Sequence, residues 1–136
     1  MKVLVDTSGW SLALRREQPV DDSCVRELSE LIDEQRVVMV GPVRQELLSG
    51  IRVPAQFHRL REHPRAFPDL PSTSADYERV AEYFQLCRSR GVQGSNTDFL
   101  LCAVAVNHNL ALLTADLDFL RFAEHLPIRL LQARFA

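Results

Sequence analysis

Four acidic residues at separate points of the chain are the side chains best suited to chemistry. They are Asp6 in VLVDTSGW, Glu46 in GPVRQELLSG, Asp98 in SNTDFLLCAVA and Asp116 in LALLTADLDF. Each acid by itself has an ordinary explanation. Asp98, for instance, stands three residues after Ser95 and fits a capping box at the start of a helix. A shared role for the four acids depends on where the predicted strands and helices carry them.

The apolar pattern predicts strands that alternate with helices. Short apolar segments predict buried strands at 2–5, 37–40, 110–113 and 128–131. Helical periodicity and capping residues predict the helices that connect them: from Thr7 or Ser8 to about Arg16, around 25–32, from Pro42 through Ile51, over 55–62, from Ser74 to about Arg90, over 95–108, and a short one after TADLDF. This alternation implies an α/β three-layer sandwich, with a central parallel sheet flanked by helices, in a single domain over residues 1–136.

Apolar stripes indicate which face of each helix is buried. In the helix that begins at Ser74, one side is predicted to carry Tyr77, Val80, Ala81, Phe84 and Cys87. In the helix after VVMV, the stripe of Val43, Leu47 and Ile51 runs beside Glu46, so that acid is expected to point partly inward.

Composition limits the classes of function. The chain has 136 residues, 46% of them apolar, and a net charge of −2, so no overall attraction to a polyanion dominates. The three cysteines are widely spaced and form neither a disulfide framework nor a thiolate zinc site. The first residues meet an acid before a signal-peptide core can form, and every apolar run is too short to cross a bilayer. A cytoplasmic protein without membrane contact is expected.

Strand ends bring the four acids to one edge of the predicted sheet. In open parallel sheets, ligands bind outside the carboxyl ends of the strands. Asp6 and Asp116 follow strands, and Glu46 lies in the first turns of the helix that leaves VVMV. Asp98 opens a crossover helix, whose start reaches the same edge because the helix runs antiparallel to the strands.

Carboxylates gathered at one edge need a counter-charge. Two of them ~5 Å apart at an effective dielectric of ~20 repel by roughly 3 kcal/mol, so a cluster requires a cation or protons. Oxygen ligands without paired histidines or cysteines favour Mg²⁺ or Mn²⁺ over Zn²⁺. The sequence therefore predicts a site for a hard divalent ion.

The order of these four motifs resembles the PIN-domain ribonucleases, in particular the VapC-like toxins of bacterial toxin–antitoxin pairs. The resemblance covers nearly the whole chain. It implies a metal-dependent endoribonuclease that hydrolyses RNA phosphodiester bonds, with metal bound by Asp6, Glu46, Asp98 and Asp116. Asp116 matches the T-x-D of the family, and Asp118 in the same motif is a further candidate ligand. The resemblance also implies a homodimer and a small cognate antitoxin protein as partner.

RNA must be attracted to this acidic site by local positive charge. Arg15 and Arg16 end the helix after Asp6, and Arg44 and Arg52 flank Glu46. These arginines are the candidate phosphate contacts. The alternative for each is a solvated charge on a helix surface.

Other classes of function need residues that are placed differently. A haloacid-dehalogenase-like phosphatase needs a second acid two residues after the first, whereas Ser8 stands there. A receiver-like signalling module needs a late lysine, and the sole lysine is Lys2. No phosphate-cradling glycine motif is present in the sequence. A Mg²⁺-dependent phosphatase and a non-catalytic acidic-pocket binding module remain the alternatives.

Overall fold

Three short parallel strands form the centre of this protein. β1 spans Val3–Val5, β2 spans Val37–Val38 and β3 spans Ala111–Leu113. β1 lies between the other two and pairs in parallel with both, and its three side chains are fully buried. The strands belong to a computed structural model that describes residues 1–14, 22–62 and 64–132.

The second predicted strand is shorter than its apolar run. Within 37–40, regular pairing ends at Val38, and Met39 makes only an isolated bridge to Asp69. A helix begins at Gly41, and the turn into that helix takes the backbone away from the sheet.

The predicted fourth strand is reduced to a single bridge. Leu130 bridges Leu112 in parallel, supported by hydrogen bonds from the Leu112 N–H to the Arg129 carbonyl (2.8 Å) and from the Leu131 N–H to the Leu112 carbonyl (2.7 Å). The prediction of a regular strand over 128–131 is therefore wrong. Both of the described backbone hydrogen bonds between this segment and β3 are made by Leu112, so the pairing stays at one residue.

Helices occupy much of the remaining described chain, close to their predicted positions. They are α1 (Thr7–Leu14), α2 (Ser23–Asp33), α3 (Gly41–Ser49), α4 (Pro54–Leu60), α5 (Ser74–Ser89), α6 (Asn96–Asn107) and α7 (Asp118–Ala123), with a 3₁₀ turn at Pro64–Ala66. The capping box predicted at Ser95 and Asp98 is confirmed, because each residue's side chain accepts from the other's backbone N–H. Gly91, with φ of +74°, follows α5 in the left-handed conformation that suits glycine.

α6 is the most deeply buried helix of the fold. Every residue from Phe99 to Ala105 is buried, and the helix packs against α5 and β3. A helix enclosed by the sheet and another helix must be apolar on all sides. This explains the uncharged run that follows Asp98.

The buried face of α5 agrees only in part with the predicted side. Of the predicted residues, Cys87 is buried and Val80 and Phe84 pack against the core, whereas Tyr77 and Ala81 are exposed. Asp76 is buried although the prediction omits it. A carboxylate occupies an inward position because Asn107 and His108 at the end of α6 hydrogen bond to Asp76. Apolar periodicity cannot anticipate a buried acid, so the prediction misses Asp76.

The sheet flanked by helices confirms the predicted α/β architecture. Within the described ranges, no helix has the length and apolar character required to cross a membrane.

Candidate functional site

The strand order creates a natural opening beside β1. The chain passes from β1 to β2 on one side and later returns to β3 on the other. Connections that leave in opposite directions open a crevice at the carboxyl ends of the two strands. Asp6 directly follows β1, and its backbone N–H donates to the Leu113 carbonyl at the end of β3 (3.1 Å). Side chains that follow these two strands therefore lie at the same opening.

A cleft of about 730 Å³ lies at this edge of the sheet, and all four predicted acids line it. Asp6 comes from the junction of β1 and α1, and Glu46 comes from α3. Asp98 lies in the first turn of α6, and Asp116 precedes α7. The fold thus brings together four acids that are distant in the sequence.

Asp6 is the most enclosed of these acids, with 4% of its surface exposed. Its Oδ1 accepts hydrogen bonds from the Ser8 hydroxyl (2.7 Å) and the Gly9 N–H (3.0 Å), and its Oδ2 accepts from the Thr114 hydroxyl (2.6 Å). Burial raises the pKa of Asp6 above its ordinary value, although these hydrogen bonds oppose the rise. The negative charge of Asp116 raises the pKa of Asp6 further, because the two carboxylates repel each other electrostatically.

Two hydroxyl groups connect Asp6 to the turn after β3. The Ser8 hydroxyl accepts from the Ala115 N–H (3.0 Å), and the Thr114 hydroxyl accepts from the Asp116 N–H (2.9 Å). Each hydroxyl also donates to Asp6, so each is used as donor and acceptor at once. The position of Asp116 is consequently tied to that of Asp6.

Asp98 has a structural role as well as its place in the cleft. Its Oδ2 accepts from the Ser95 N–H (3.2 Å), which closes the capping box of α6. The side chain is only half-buried and lines the cleft. Because the cap engages only one carboxylate oxygen, it leaves this acid capable of binding a cation.

The two acids of TADLDF lie in different surroundings. Asp116 is half-buried and lines the cleft, and its Oδ1 accepts from the Asp118 N–H (2.9 Å). Asp118 is exposed, lies outside the cleft lining and faces Arg121 at 3.9 Å. Within the described structure, the role of Asp118 at the site is the hydrogen bond from its backbone N–H, which holds the Asp116 carboxylate in place.

Glu46 lines the cleft but is exposed, so the expectation of a partly inward side chain is wrong. The apolar stripe of α3 does place Val43 and Leu47 in the core. Glu46, next to Leu47, borders open space because the cleft lies on that side of the helix.

A fifth acid lines the cleft and is absent from the predicted set. Asp22 caps α2 by accepting from the Cys24 N–H (2.8 Å) and the Val25 N–H (3.3 Å). The sequence signals a break before this helix, and a cap is a sufficient reason for an acid there. Its place in the cleft results from the packing of α2 against α1, which no local pattern reveals.

The predicted arginine contacts receive no direct support from the geometry. Arg15 and Arg16 lie outside the described residues. Arg44 binds Asp69 (Nη2 to Oδ1, 2.9 Å) and the Phe67 carbonyl, which fastens the segment after the 3₁₀ turn to α3. Arg52 is exposed beyond the end of α3. Across the described ranges, the cleft lining contains no basic side chain.

The three cysteines do not contribute to the site as ligands. Cys24, Cys87 and Cys102 are free and buried. Burial, with smaller effects of Asp22 and Asp6, raises the pKa of Cys24 to about 11. Burial also raises the pKa of the other two thiols, so all three are protonated at neutral pH.

The cleft chemistry fits a hard divalent cation. Its donors are carboxylate and hydroxyl oxygens, which Mg²⁺ and Mn²⁺ prefer. Among the residues that the structure describes, no three histidine, cysteine, aspartate or glutamate side chains lie close enough together to hold one ion. Mg²⁺ needs no such cluster, because it binds through one or two carboxylates and completes its shell with water and phosphate oxygens.

Comparisons with known proteins agree with this architecture. The family model described as a PIN domain matches residues 3–125. No curated protein gives a significant match. The crystal structure of FitAcB from Neisseria gonorrhoeae is similar over 98% of this chain and 99% of that chain, with a TM-score of 0.77 and 21% identity. The structure of FitAB bound to an IR36 DNA fragment is similar over 95% and 93%, with a TM-score of 0.72 and 20% identity.

Proposed function

Because the chain belongs to the PIN-domain family, we propose that it is a metal-dependent endoribonuclease that hydrolyses RNA phosphodiester bonds. We further propose that it is the toxin of a toxin–antitoxin pair. One observation carries the proposal: Asp6, Glu46, Asp98 and Asp116, from four separate elements, line a single cleft at the switch point of the sheet.

These four carboxylates are the proposed ligands of Mg²⁺ or Mn²⁺, of which one or two would bind an ion directly and the others would act through its water ligands. When bound, such an ion lowers the pKa of an attacking water and offsets the charge that develops on the phosphate oxygens. Asp6 is the best-ordered of the proposed ligands, because three hydrogen bonds fix both of its oxygens. A fixed carboxylate loses little conformational freedom on binding a cation, which favours a defined geometry.

The chain's own groups supply positioning and proton transfer in this mechanism. Ser8 and Thr114 hold Asp6 and orient the turn that carries Asp116. Glu46 is exposed at the rim of the cleft and is able to accept a proton from the attacking water. No serine, cysteine or histidine nucleophile is required.

RNA binding in this proposal depends on charges around an acidic cleft. Five carboxylates repel the phosphates of RNA unless a bound cation offsets their charge. The arginines proposed to contact phosphates are Arg15, Arg16 and Arg52, with Arg44 in that role only if it leaves Asp69. Strong dependence of RNA binding on divalent ions follows.

The proposed partners are a cognate antitoxin protein and a second copy of the chain, in the cytoplasm. They follow from the resemblance to VapC-like toxins. FitAB, in the structure similar to this one, is a complex bound to a DNA fragment. Copurification with the product of an adjacent gene would test whether the chain binds a cognate antitoxin.

The proposed activity is tested by incubating the purified protein with a mixed RNA pool in Mg²⁺, in Mn²⁺ or in EDTA. We expect internal cleavage with either ion and none in EDTA. A parallel reaction with a small phosphate ester tests the phosphatase alternative. Release of phosphate without RNA cleavage would support that alternative, and cleavage in EDTA would contradict the proposed chemistry.

A further inference from the structure

A second, smaller pocket adjoins the acidic cleft. It has a volume of about 290 Å³ and is lined by Tyr77 and Val80 from α5 and by Asn96, Thr97 and Leu100 from α6. Thr97 also lines the acidic cleft, and the next residue is Asp98. The two cavities therefore share Thr97, at the start of α6, as part of their walls.

The lining of this pocket differs in chemistry from that of the cleft. Its described lining carries no charged side chain, whereas five acids line the cleft. Tyr77 is 58% exposed, Val80 is half-buried and Leu100 is buried. An exposed ring beside aliphatic carbons favours a flat, uncharged ligand. Asn96 and Thr97 add an amide and a hydroxyl that can hydrogen bond to the edge of such a ligand.

We propose that this pocket binds a nucleobase of the RNA strand, next to the phosphate that is cut in the acidic cleft. The inference rests on the proposed function, because the base belongs to that substrate. Single-stranded RNA is commonly bound by stacking of splayed bases on aromatic side chains. Tyr77 is the stacking platform, and Asn96 contacts the base edge.

A nucleobase suits this pocket better than a protein partner does. Stable protein interfaces bury roughly 800 Å² on each side, around a core of several apolar anchors. Here Leu100 is only 7% exposed and Val80 is half-buried, so Tyr77 is the most exposed apolar side chain of the lining. One ring is too small a core for a protein interface but is what one base requires.

The test measures base stacking separately from cleavage. The probe is a short oligoribonucleotide carrying 2-aminopurine, whose fluorescence falls on stacking, bound in Ca²⁺ and checked for intactness on a gel. We expect quenching by the wild type and by Tyr77→Phe, which keeps the ring. Tyr77→Ala should bind about 5- to 100-fold more weakly. Gln85→Ala, an exposed uncharged position on the same helix, is the matched control and should behave as wild type.

Cleavage kinetics and oligomeric state complete the test. In Mg²⁺, Tyr77→Ala should raise KM more than it lowers kcat, with an unchanged Tm. Equal quenching and equal KM in Tyr77→Ala and wild type would overturn the base pocket and leave the nuclease proposal standing. Conversion of a dimer to a monomer by Tyr77→Ala would also overturn it, because the ring would then belong to an interface between copies. Tyr77-dependent quenching without RNA cleavage would support the pocket and overturn the nuclease.

Discussion

At Asp6, three hydrogen bonds fix a carboxylate that is almost completely buried. The neighbouring acids are less enclosed, and Asp98 and Asp116 each have one oxygen engaged by a backbone N–H. Among the described contacts, the cleft therefore combines one rigid carboxylate with two acids, Asp98 and Asp116, that each keep an oxygen without a hydrogen bond. Metal binding and cleavage should respond to changes at single residues of this set.

Asp98→Asn should retain the fold and lose cleavage. An asparagine oxygen can still accept from the Ser95 N–H, so the cap survives. Loss of one negative ligand should lower the Mg²⁺-dependent rate of RNA cleavage by about 100-fold or more. Circular dichroism and initial rates measure the two effects. Asp33→Asn, at an exposed acid at the end of α2, is the control. Full activity in Asp98→Asn would remove Asp98 from the proposed site.

Thr114→Val should affect both stability and catalysis. The change removes the donor to Asp6 and the acceptor for the Asp116 N–H without altering the size of the side chain. We expect a loss of about 1–3 kcal/mol in the free energy of unfolding, and cleavage about 10- to 100-fold slower. Urea unfolding and the Mn²⁺ concentration dependence of the rate measure these effects. Thr114→Ser should restore both, and a stability loss with an unchanged Mn²⁺ dependence would indicate a purely structural threonine.

Between elements, a buried acid joins α5 to α6. Asp76 accepts from the Thr73 N–H at the start of α5 (2.9 Å) and from the Asn107 amide at the end of α6 (2.9 Å), and its Oδ2 lies 3.1 Å from His108 Nε2. Burial raises the pKa of Asp76, but these hydrogen bonds outweigh burial and lower the pKa below its ordinary value of 3.8. The contact fixes the helix pair that carries both Asp98 and Tyr77.

Asp76→Asn should destabilise the protein at neutral pH and much less in acid. Hydrogen bonds to a charged group contribute about 1.5–3 kcal/mol, which the variant should lose at pH 7. Because the folded pKa is lower than the unfolded one, this contribution is present above about pH 4 and is lost as the pH falls through the folded pKa. Urea unfolding at pH 7 and pH 3 measures the difference. Glu78→Gln, at an exposed acid on α5, serves as control, and equal losses at both pH values would contradict the account.

For the whole molecule, charge is distributed unevenly. The net charge is only −2, yet five acids line one cleft whose described lining has no basic side chain. Their repulsion opposes folding, and a bound cation relieves it. Ligand that binds only the folded state increases the free energy of unfolding.

Mg²⁺ or Mn²⁺ should therefore raise the Tm, and the rise should grow with the logarithm of the ion concentration once that concentration exceeds the Kd. An ion at about ten times its Kd stabilises a single site by about 1.4 kcal/mol, a rise of roughly 5 °C for a chain of this size. Differential scanning fluorimetry with increasing Mn²⁺ measures the shift, and EDTA should reverse it. Asp33→Asn should show the full shift and Asp98→Asn a smaller one. An equal shift in Asp98→Asn would mean that the ion binds elsewhere.

The amino-acid sequence by itself determined the alternation of strands and helices, the capping box at Ser95, and the position of four acids at the strand ends. Local periodicity and the strand-end rule are sufficient for these features, because both depend on residues close together in the chain or on the order of elements. The positions of Asp6 and Asp116 beside one opening follow from the same rule.

Tertiary structure alone decided the features that depend on contacts between distant residues. It brought Asp22 to the cleft and engaged Arg44 with Asp69. It also buried Asp76 against the end of α6 and left Tyr77 exposed beside Thr97. Periodicity predicts which face of a helix is apolar. It does not predict which residues hydrogen bond to a buried acid such as Asp76, or which cavity an exposed ring such as Tyr77 lines. Those outcomes depend on how α2, α5 and α6 pack in three dimensions.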